Sequence, residues 1–310
     1  MTPLFECVPN FSEGRRPEVI EAIVSPFRSR PGVHLLDFRA DADHNRLVVS
    51  VAGEAEALQE ALLGAARAAI TSIDLRTHRG AHPRIGAVDV IPFVPLRGAD
   101  MGDAVRLARG FAGRYARETS VPVYLYEAAA LRPERRNLET VRKGQFETLQ
   151  KETETPERAP DVGGPRLHPS AGATAIGARP FLVAFNINLE SSDLALARSI
   201  ARTIRASSGG LPHVKAVGVA LQERGLVQVS VNCTDYRVTG LHQVLERVRE
   251  EAAKCGVRVL ETEIYGLVPA AALLSEAARS LQVAGFDEAQ VLDLRLLDVM
   301  SGIAEFGGRG

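Results

Sequence analysis

Net charge is nearly absent from this sequence: 37 Lys and Arg stand against 38 Asp and Glu, leaving a formal −1 at neutral pH. Without a basic excess or a run of five like charges, nothing drives tight non-specific binding to nucleic acid or to an anionic membrane. Long apolar runs are missing too. The uncharged part of the stretch from Ile264 to Ser275 is interrupted by Pro269 and falls well short of the roughly 20 residues that cross a bilayer, so no transmembrane helix is expected. Met1–Arg16 lacks a basic segment followed by an apolar one, which argues against a secretory leader, and a cytoplasmic protein is expected. Cysteine is scarce. Cys7, Cys233 and Cys255 form no C-x-x-C pair and no even disulfide framework, which fits a reducing compartment, and all three are read as core thiols.

What is present is a globular chain of 310 residues, 45% hydrophobic and 24% charged, a length that suggests two domains at about 150 residues each. The apolar periods predict a strand at Leu4–Pro9, a helix opened by Pro17, strands near Val33–Phe38 and Leu47–Val51, a helix over Glu54–Ile70, and a strand at Val88–Val94. In that second helix Leu58, Leu62, Ala65 and Ala69 share one face. The order is β-α-β-β-α-β, the split unit of ferredoxin-like sheets. It recurs at Phe181–Asn188, Asp193–Arg205, Val214–Leu221, Leu226–Val231, Leu241–Cys255 and Val257–Ile264. Between the repeats lie a helix (Asp100–Thr119), a short strand (Val121–Tyr126) and a linker (about Ala128–Gly163), and the tail after Val268 reads as one or two helices. The fold class is therefore α+β with two βαββαβ subdomains, residues 1–179 with the linker and residues 180–310 with the tail.

Three segments carry chemistry. Asp74–Gly86, DLRTHRGAHPRIG, puts two histidines and three arginines where Gly80, Pro83 and Gly86 oppose a helix. It reads either as a solvated basic connector or as an anionic-substrate loop with a histidine as acid/base, because imidazole changes charge near neutral pH. His82, restricted by the following Pro83, is the better candidate. His78 and His82 have the spacing of a zinc pair, but with no helix to align them and no glutamate between them a metal is not expected, even with His44 and Asp43 as further ligands. Pro160–Arg179 holds four glycines that suit a ligand approaching the backbone. It is not a Walker loop, since Ala178 and Arg179 stand where Lys and Ser/Thr are required, and an interdomain hinge is the alternative. Asp37–Arg46, DFRADADHNR, reads as a polar hairpin tip that need not lie far from the loop entering the last strand of its unit.

Taken in order, ECVPNFSEG from Glu6 to Gly14, the pair Asn45 and Arg46, HRGAHPRIGAVDV from His78 to Val90, PVYLY from Pro122 to Tyr126, PDVG from Pro160 to Gly163, AGAT from Ala171 to Thr174, GAR from Gly177 to Arg179, FNINL from Phe185 to Leu189 and GLVP from Gly266 to Pro269 resemble the glutamate formimidoyltransferase family. The resemblance implies transfer of a formimidoyl group between N-formimidoyl-L-glutamate and tetrahydrofolate, the folate serving as co-substrate in a crevice between two ferredoxin-like subdomains, without a metal. The family's catalytic histidine falls on His82. Its folate loop falls on Gly163, Gly164, Pro165, Arg166, Leu167, His168, Pro169, Ser170, Ala171 and Gly172. Many members carry a cyclodeaminase domain, so for a chain ending at Gly310 a separate cyclodeaminase is expected downstream, and a homodimer is expected.

One position departs from the family. In the mammalian pattern the aspartate matching Asp37 is followed two residues later by a second aspartate that assists the histidine, where this chain has Arg39. Asp41 or Asp43 then takes over, or activity is altered. In the expected chemistry His82 moves protons, a carboxylate among Asp37, Asp41 and Asp43 stabilises the cationic amidine carbon, and Arg76, Arg79, Arg84 and Arg179 are candidates for the glutamate carboxylates. The alternatives are formyl transfer on the same scaffold and a catalytically silent folate-binding protein. RNA binding is disfavoured because Asn45–Ala52 lacks stacking aromatics.

Overall fold

The computed structural model describes residues 2–80, 82–221, 224–294 and 297. The chain divides into two compact units, residues 1–180 and 181–310.

In the first unit the strands are β1 (Leu4–Cys7), β2 (Asn10–Phe11), β3 (Val33–Asp41), β4 (Arg46–Glu54), β5 (Val88–Pro95), β6 (Val123–Glu127) and β7 (Thr174–Ala178). The predicted strand at Leu4–Pro9 is interrupted. Pro9 has no N–H for the ladder, and the chain resumes as β2 one residue later, so that β1 and β2 each pair antiparallel with both β4 and β5. Across the sheet the order is β3, β4, the broken β1/β2, β5, β7, β6. Helices α1 (Pro17–Ser29), α2 (Ala55–Ser72) and α3 (Met101–Thr119) bury Ile23, Phe27, Leu58, Leu62, Phe111 and Tyr115 in a single core with the sheet. Each such side chain contributes about 1.5–3 kcal/mol through the apolar surface it removes from water. Asp100 starts α3 through a capping box with Asp103, satisfying donors the first turn leaves open.

Two further features of this unit differ from the sequence-based expectation. The segment read as a linker contains α4 (Leu138–Val141) and α5 (Gln145–Glu152), and it is pinned to β6 where Asp161 accepts from the Leu125 amide at 2.8 Å and pairs with buried Arg135. The glycine-rich run is no open hinge along its whole length either: its end is β7, a fully buried strand parallel to β5 and β6 and seated between them. A short buried run of small residues carries no period of its own, which is why the pattern concealed it. The Thr174 hydroxyl donates to the Val88 carbonyl at 2.8 Å and accepts from Tyr115 at 2.8 Å, tying α3 to the new strand.

Just before β7 the chain is laced to the loop entering β5. The Leu75 amide donates to Ser170, Ala87 to Ala171 and Ala173 to Ile85, all at 2.8–2.9 Å. The lacing works only because Gly172 sits at φ +70° with the Ile85 carbonyl 2.1 Å from where a Cβ would stand. Gly163 and Gly177 are likewise closed in, against Pro122 and Tyr126, whereas Gly164 has open space around it. The glycines thus serve chain-against-chain contact more than ligand approach, Gly164 excepted.

The second unit repeats the βαββαβ order as β8 (Val183–Leu189), α6 (Leu194–Ile204), β9 (Val214–Leu221), β10 (Leu226–Cys233), α7 (Leu241–Ala253) and β11 (Val259–Tyr265), followed by α8 (Ala270–Ser280). Its four-stranded sheet runs β11, β8, β10, β9, all antiparallel. Val183, Phe185, Ile187 and Leu189, at the strand period of two, meet Ile200, Ile204, Val244 and Val248 from the helices. The tail beyond 297 lies outside the described residues. Cys7 and Cys233 are core thiols, but Cys255, just past the end of α7, is exposed, a correction to the reading of all three as buried.

Gly172→Ala is expected to lose at least about 2 kcal/mol of stability, since it combines a left-handed backbone with a clash against a carbonyl. Gly164→Ala meets no neighbour and pays only for its backbone conformation. Urea denaturation of both variants checks this, and equal midpoints would contradict it.

Candidate active site

Asp89 is the second residue of β5, and its side chain is only 1% exposed. A buried carboxylate is tolerated only when paired and hydrogen-bonded, and three groups meet it here. The Ile85 amide donates to Oδ1 at 2.8 Å, Arg142 Nη2 to Oδ2 at 2.5 Å, and Arg46 Nη1 to Oδ2 at 3.2 Å. Burial pushes the Asp89 carboxyl up, but the two guanidinium groups and the amide outweigh it and hold the group below its ordinary range. Arg46 opens β4 and is fixed from its other side by Asn10 of β2, whose Oδ1 accepts from Nε at 2.9 Å and Nη2 at 2.5 Å. Arg142 follows directly on α4, in the segment the sequence presented as a linker.

His82 closes the cluster. Arg46 Nη1 donates to its Nδ1 at 2.5 Å. Burial is the largest influence on the ring, followed by the positive charges of Arg46 and Arg142; Asp89 and a backbone hydrogen bond to Pro83 oppose them, and the pKa falls to about 2. His82 is therefore neutral across the physiological range, beside the guanidiniums of Arg46 and Arg142 and the carboxylate of Asp89.

The loop bearing His82 is shaped by the tip of the β3–β4 hairpin. Asn45, at φ +48°, accepts from the Gly14 amide at 2.9 Å, donates from Nδ2 to the Arg79 carbonyl at 3.0 Å, and receives His78 Nε2 on its own carbonyl at 3.2 Å. Gly80 fits beneath it because a Cβ there would lie 2.3 Å from the His44 carbonyl. The residues Asn45 and Arg46 thus do different work, the first fixing the loop and the second reaching the histidine ring.

The remaining expected site residues fall around this cluster in a graded way. The ring of His44 lies 6.4 Å from that of His82, centroid to centroid, and Asp41 accepts from the His44 amide and contacts its Nδ1, both at 2.8 Å. Asp41 is therefore one residue removed from His82. Asp37 is paired with Arg39 Nε at 3.0 Å at a partly exposed site, so the departure at Arg39 gives Asp37 a partner on its own strand. Arg84 is buried and committed to Glu147, at 2.7 and 2.9 Å, and to His78 Nδ1 at 3.2 Å. Arg76 is bound to Asp74, Arg79 donates to the His78 carbonyl at 2.8 Å, and Arg179 donates to the Pro180 carbonyl at 2.9 Å. In the glycine-rich loop Gly163, Gly164, Pro165 and Arg166 are exposed while Leu167, Ala171 and Gly172 are buried. Asp89, Arg46 and Arg142, which complete the cluster around His82, were not among the candidate site residues the sequence offered. Asp89 had a signal, a lone charge inside an apolar strand; Arg142 had none.

Among the described residues no group of three or more His, Cys, Asp or Glu is placed to hold a metal ion, and no helix is long and apolar enough to cross a membrane. Residues 4–179 match the family model of the formiminotransferase domain, N-terminal subdomain, and residues 184–291 that of the formiminotransferase domain. The chain belongs to the formiminotransferase family. It is 44% identical over 298 residues to a glutamate formimidoyltransferase of Streptococcus pyogenes, covering 96% of this chain and 100% of that one. A glutamate formimidoyltransferase of Thermoplasma acidophilum is 43% identical over 94% of this chain and 97% of its own. A formimidoyltransferase-cyclodeaminase of Rattus norvegicus is 45% identical over 90% of this chain, which spans 52% of that longer protein.

In this member of the family the cluster sets how stability responds to acid. Asp89 has a lowered folded pKa, so its contribution is complete above the unfolded value of about 4 and is lost as pH falls through the folded value. His82, at about 2 against an ordinary 6.5, acts in the same sense: below 6.5 the unfolded chain binds a proton that the folded chain refuses. Stability should therefore fall with pH from about 6.5 downward. His82→Gln should flatten that slope between about pH 6 and 4, as read by urea midpoints, while Asp89→Asn should lose about 3–5 kcal/mol at pH 7 by leaving the guanidiniums uncompensated.

Proposed function

We propose that this chain transfers the formimidoyl group of N-formimidoyl-L-glutamate to tetrahydrofolate, giving 5-formimidoyltetrahydrofolate and L-glutamate, a step of histidine degradation. The observation that carries the reading is the company His82 keeps: a neutral imidazole beside a cationic pair in a chain of this family. The transfer needs one group that accepts the proton lost by the folate nitrogen and returns it to the departing glutamate nitrogen. A neutral histidine suits the first half of that task, and positioned groups of this kind contribute about 10²–10⁴-fold. Arg46 and Arg142 supply the positive field that draws the donor's carboxylates.

We assign the folate to the exposed part of the segment 163–172. Gly164 offers open backbone, and Arg166, although paired with Glu154 at 3.3 Å, is exposed enough to meet an anionic group. Asp41, through His44, and Asp37 remain the outer carboxylates of the centre. Each unit is read as ferredoxin-like, supported by the shared element order and by corresponding strand orders, β3-β4-β1-β5 in the first and β9-β10-β8-β11 in the second. The protein is assigned to the cytoplasm, as a homodimer whose product is a substrate for a cyclodeaminase activity.

His82→Ala is expected to lower kcat by about 10²–10⁴-fold and leave the Kd for tetrahydrofolate unchanged, as followed by product absorbance and by calorimetry. A variant with wild-type kcat would remove His82 from the chemistry. Arg166→Glu should weaken folate without changing urea stability; unchanged affinity would move the folate elsewhere.

A further inference from the structure

A guanidinium donates hydrogen bonds and accepts none. The contact of Arg46 Nη1 with His82 Nδ1 therefore occupies the Nδ1 lone pair, and a neutral imidazole has only one lone pair and one N–H. The proton of the resting ring is on Nε2. In that tautomer Nε2 can donate a hydrogen bond but cannot accept a proton, and the lone pair that could accept one is spent on a cation. The ring that the proposed transfer uses as a base is idle in this arrangement.

We propose that Arg46 keeps His82 in this resting tautomer, and that a carboxylate of the glutamyl substrate, by drawing Arg46 Nη1 onto itself, releases Nδ1 to Asp89 and makes Nε2 the working base. The inference rests on the reading of His82 as proton carrier and adds the trigger that arms it. Arg46 Nη1 serves two acceptors at once, His82 Nδ1 and Asp89 Oδ2, so when it moves, those two are left facing the position it occupied. The ring proton then passes from Nε2 to Nδ1 by exchange with solvent, Nδ1–H donates to Asp89, and Nε2 holds the free lone pair. No proton is gained or lost in the switch. It creates a histidine–carboxylate pairing in which the carboxylate selects the tautomer and favours the charged ring.

The charge around the site supplies the trigger. The groups acting on His82 are Arg46 from β4, Asp89 from β5, Arg142 from the segment after α4, the Pro83 backbone and the neighbouring His44 ring. Arg46 and Arg142 share the carboxylate of Asp89, and among the described residues the buried Nε of Arg142 has no hydrogen-bond acceptor. Of the other arginines near the loop, Arg84 and Arg76 are each neutralised by a carboxylate of the protein. A substrate carboxylate is the ligand class that matches, because it takes two parallel N–H donors from a guanidinium.

The test is nitrogen-15 NMR of the full chain labelled at the histidine rings, with His82 assigned by the signals missing from His82→Gln. Without ligand the protonated nitrogen should be Nε2, and the ring should stay neutral on acidification well below pH 6. On addition of L-glutamate the protonated nitrogen should become Nδ1, and the titration midpoint should rise by at least about one pH unit; neutral glutaramide should do neither. Arg46→Met, which keeps the Arg142 and Ile85 partners of Asp89, should show the Nδ1 tautomer with no ligand added. An Nε2-to-Nδ1 change absent at every L-glutamate concentration, or a proton already on Nδ1 in the free wild type, overturns the proposal. These outcomes are separate from the fate of His82 as proton carrier: a full switch in a protein whose His82→Ala variant transfers normally would discard the carrier and keep the switch.

Discussion

The Asp89 carboxylate, buried between Arg46 and Arg142, is the constraint on which the rest of the site depends. Its charge cannot remain inside the first unit without those partners, and they come from three places far apart in the chain: the start of β4, the segment after α4, and, through the Ile85 amide, the His82 loop itself. Meeting the electrostatic need of one group therefore positions a hairpin, a helix end and a loop together. The same arrangement sets a histidine ring on its border. The ion pairing of the core and the surroundings of His82 thus use the same atoms.

Around this centre the chain is held by close backbone approach. Gly14, Gly80, Gly86 and Gly172 each stand where a Cβ would meet a carbonyl oxygen at 2.0–2.3 Å, and the contacts they permit bring the hairpin tip, the His82 loop and the strand-like run before β7 into one rigid support. Under the role proposed for His82 that rigidity has a chemical use, because a proton carrier acts only within hydrogen-bond reach of its partners. The exposed stretch Gly164–Arg166 hangs from that support rather than forming part of it.

Most of the secondary structure was legible. The helical stripes of α2 and α7 and the alternation in β8 and β10 follow from faces that must be buried, and the repeated βαββαβ order follows from them. What escaped has physical reasons. β7 is buried on all sides and made of small residues, so it shows no alternation. The segment from 128 to 163 is rich in charge, which resembles a linker, yet Arg135 and Asp161 spend that charge on each other inside the unit. In the candidate site, the loop motif pointed to His82, and the hairpin tip supplied Asp37 and Asp41 as candidate carboxylates among other polar residues. The one nearest the ring through Arg46 is Asp89, hidden within an apolar strand. Arg142 is brought in by tertiary folding alone, and no spacing in the sequence marks it.

The central claim is that this family member moves an intact formimidoyl group. A donor labelled with nitrogen-15 at the terminal imidoyl nitrogen, incubated with the chain and tetrahydrofolate and analysed by mass spectrometry, tests it most directly. The label should arrive on the folate product in step with release of unlabelled glutamate. Label released as ammonia alongside a formylated folate, or no transfer at all, would contradict it.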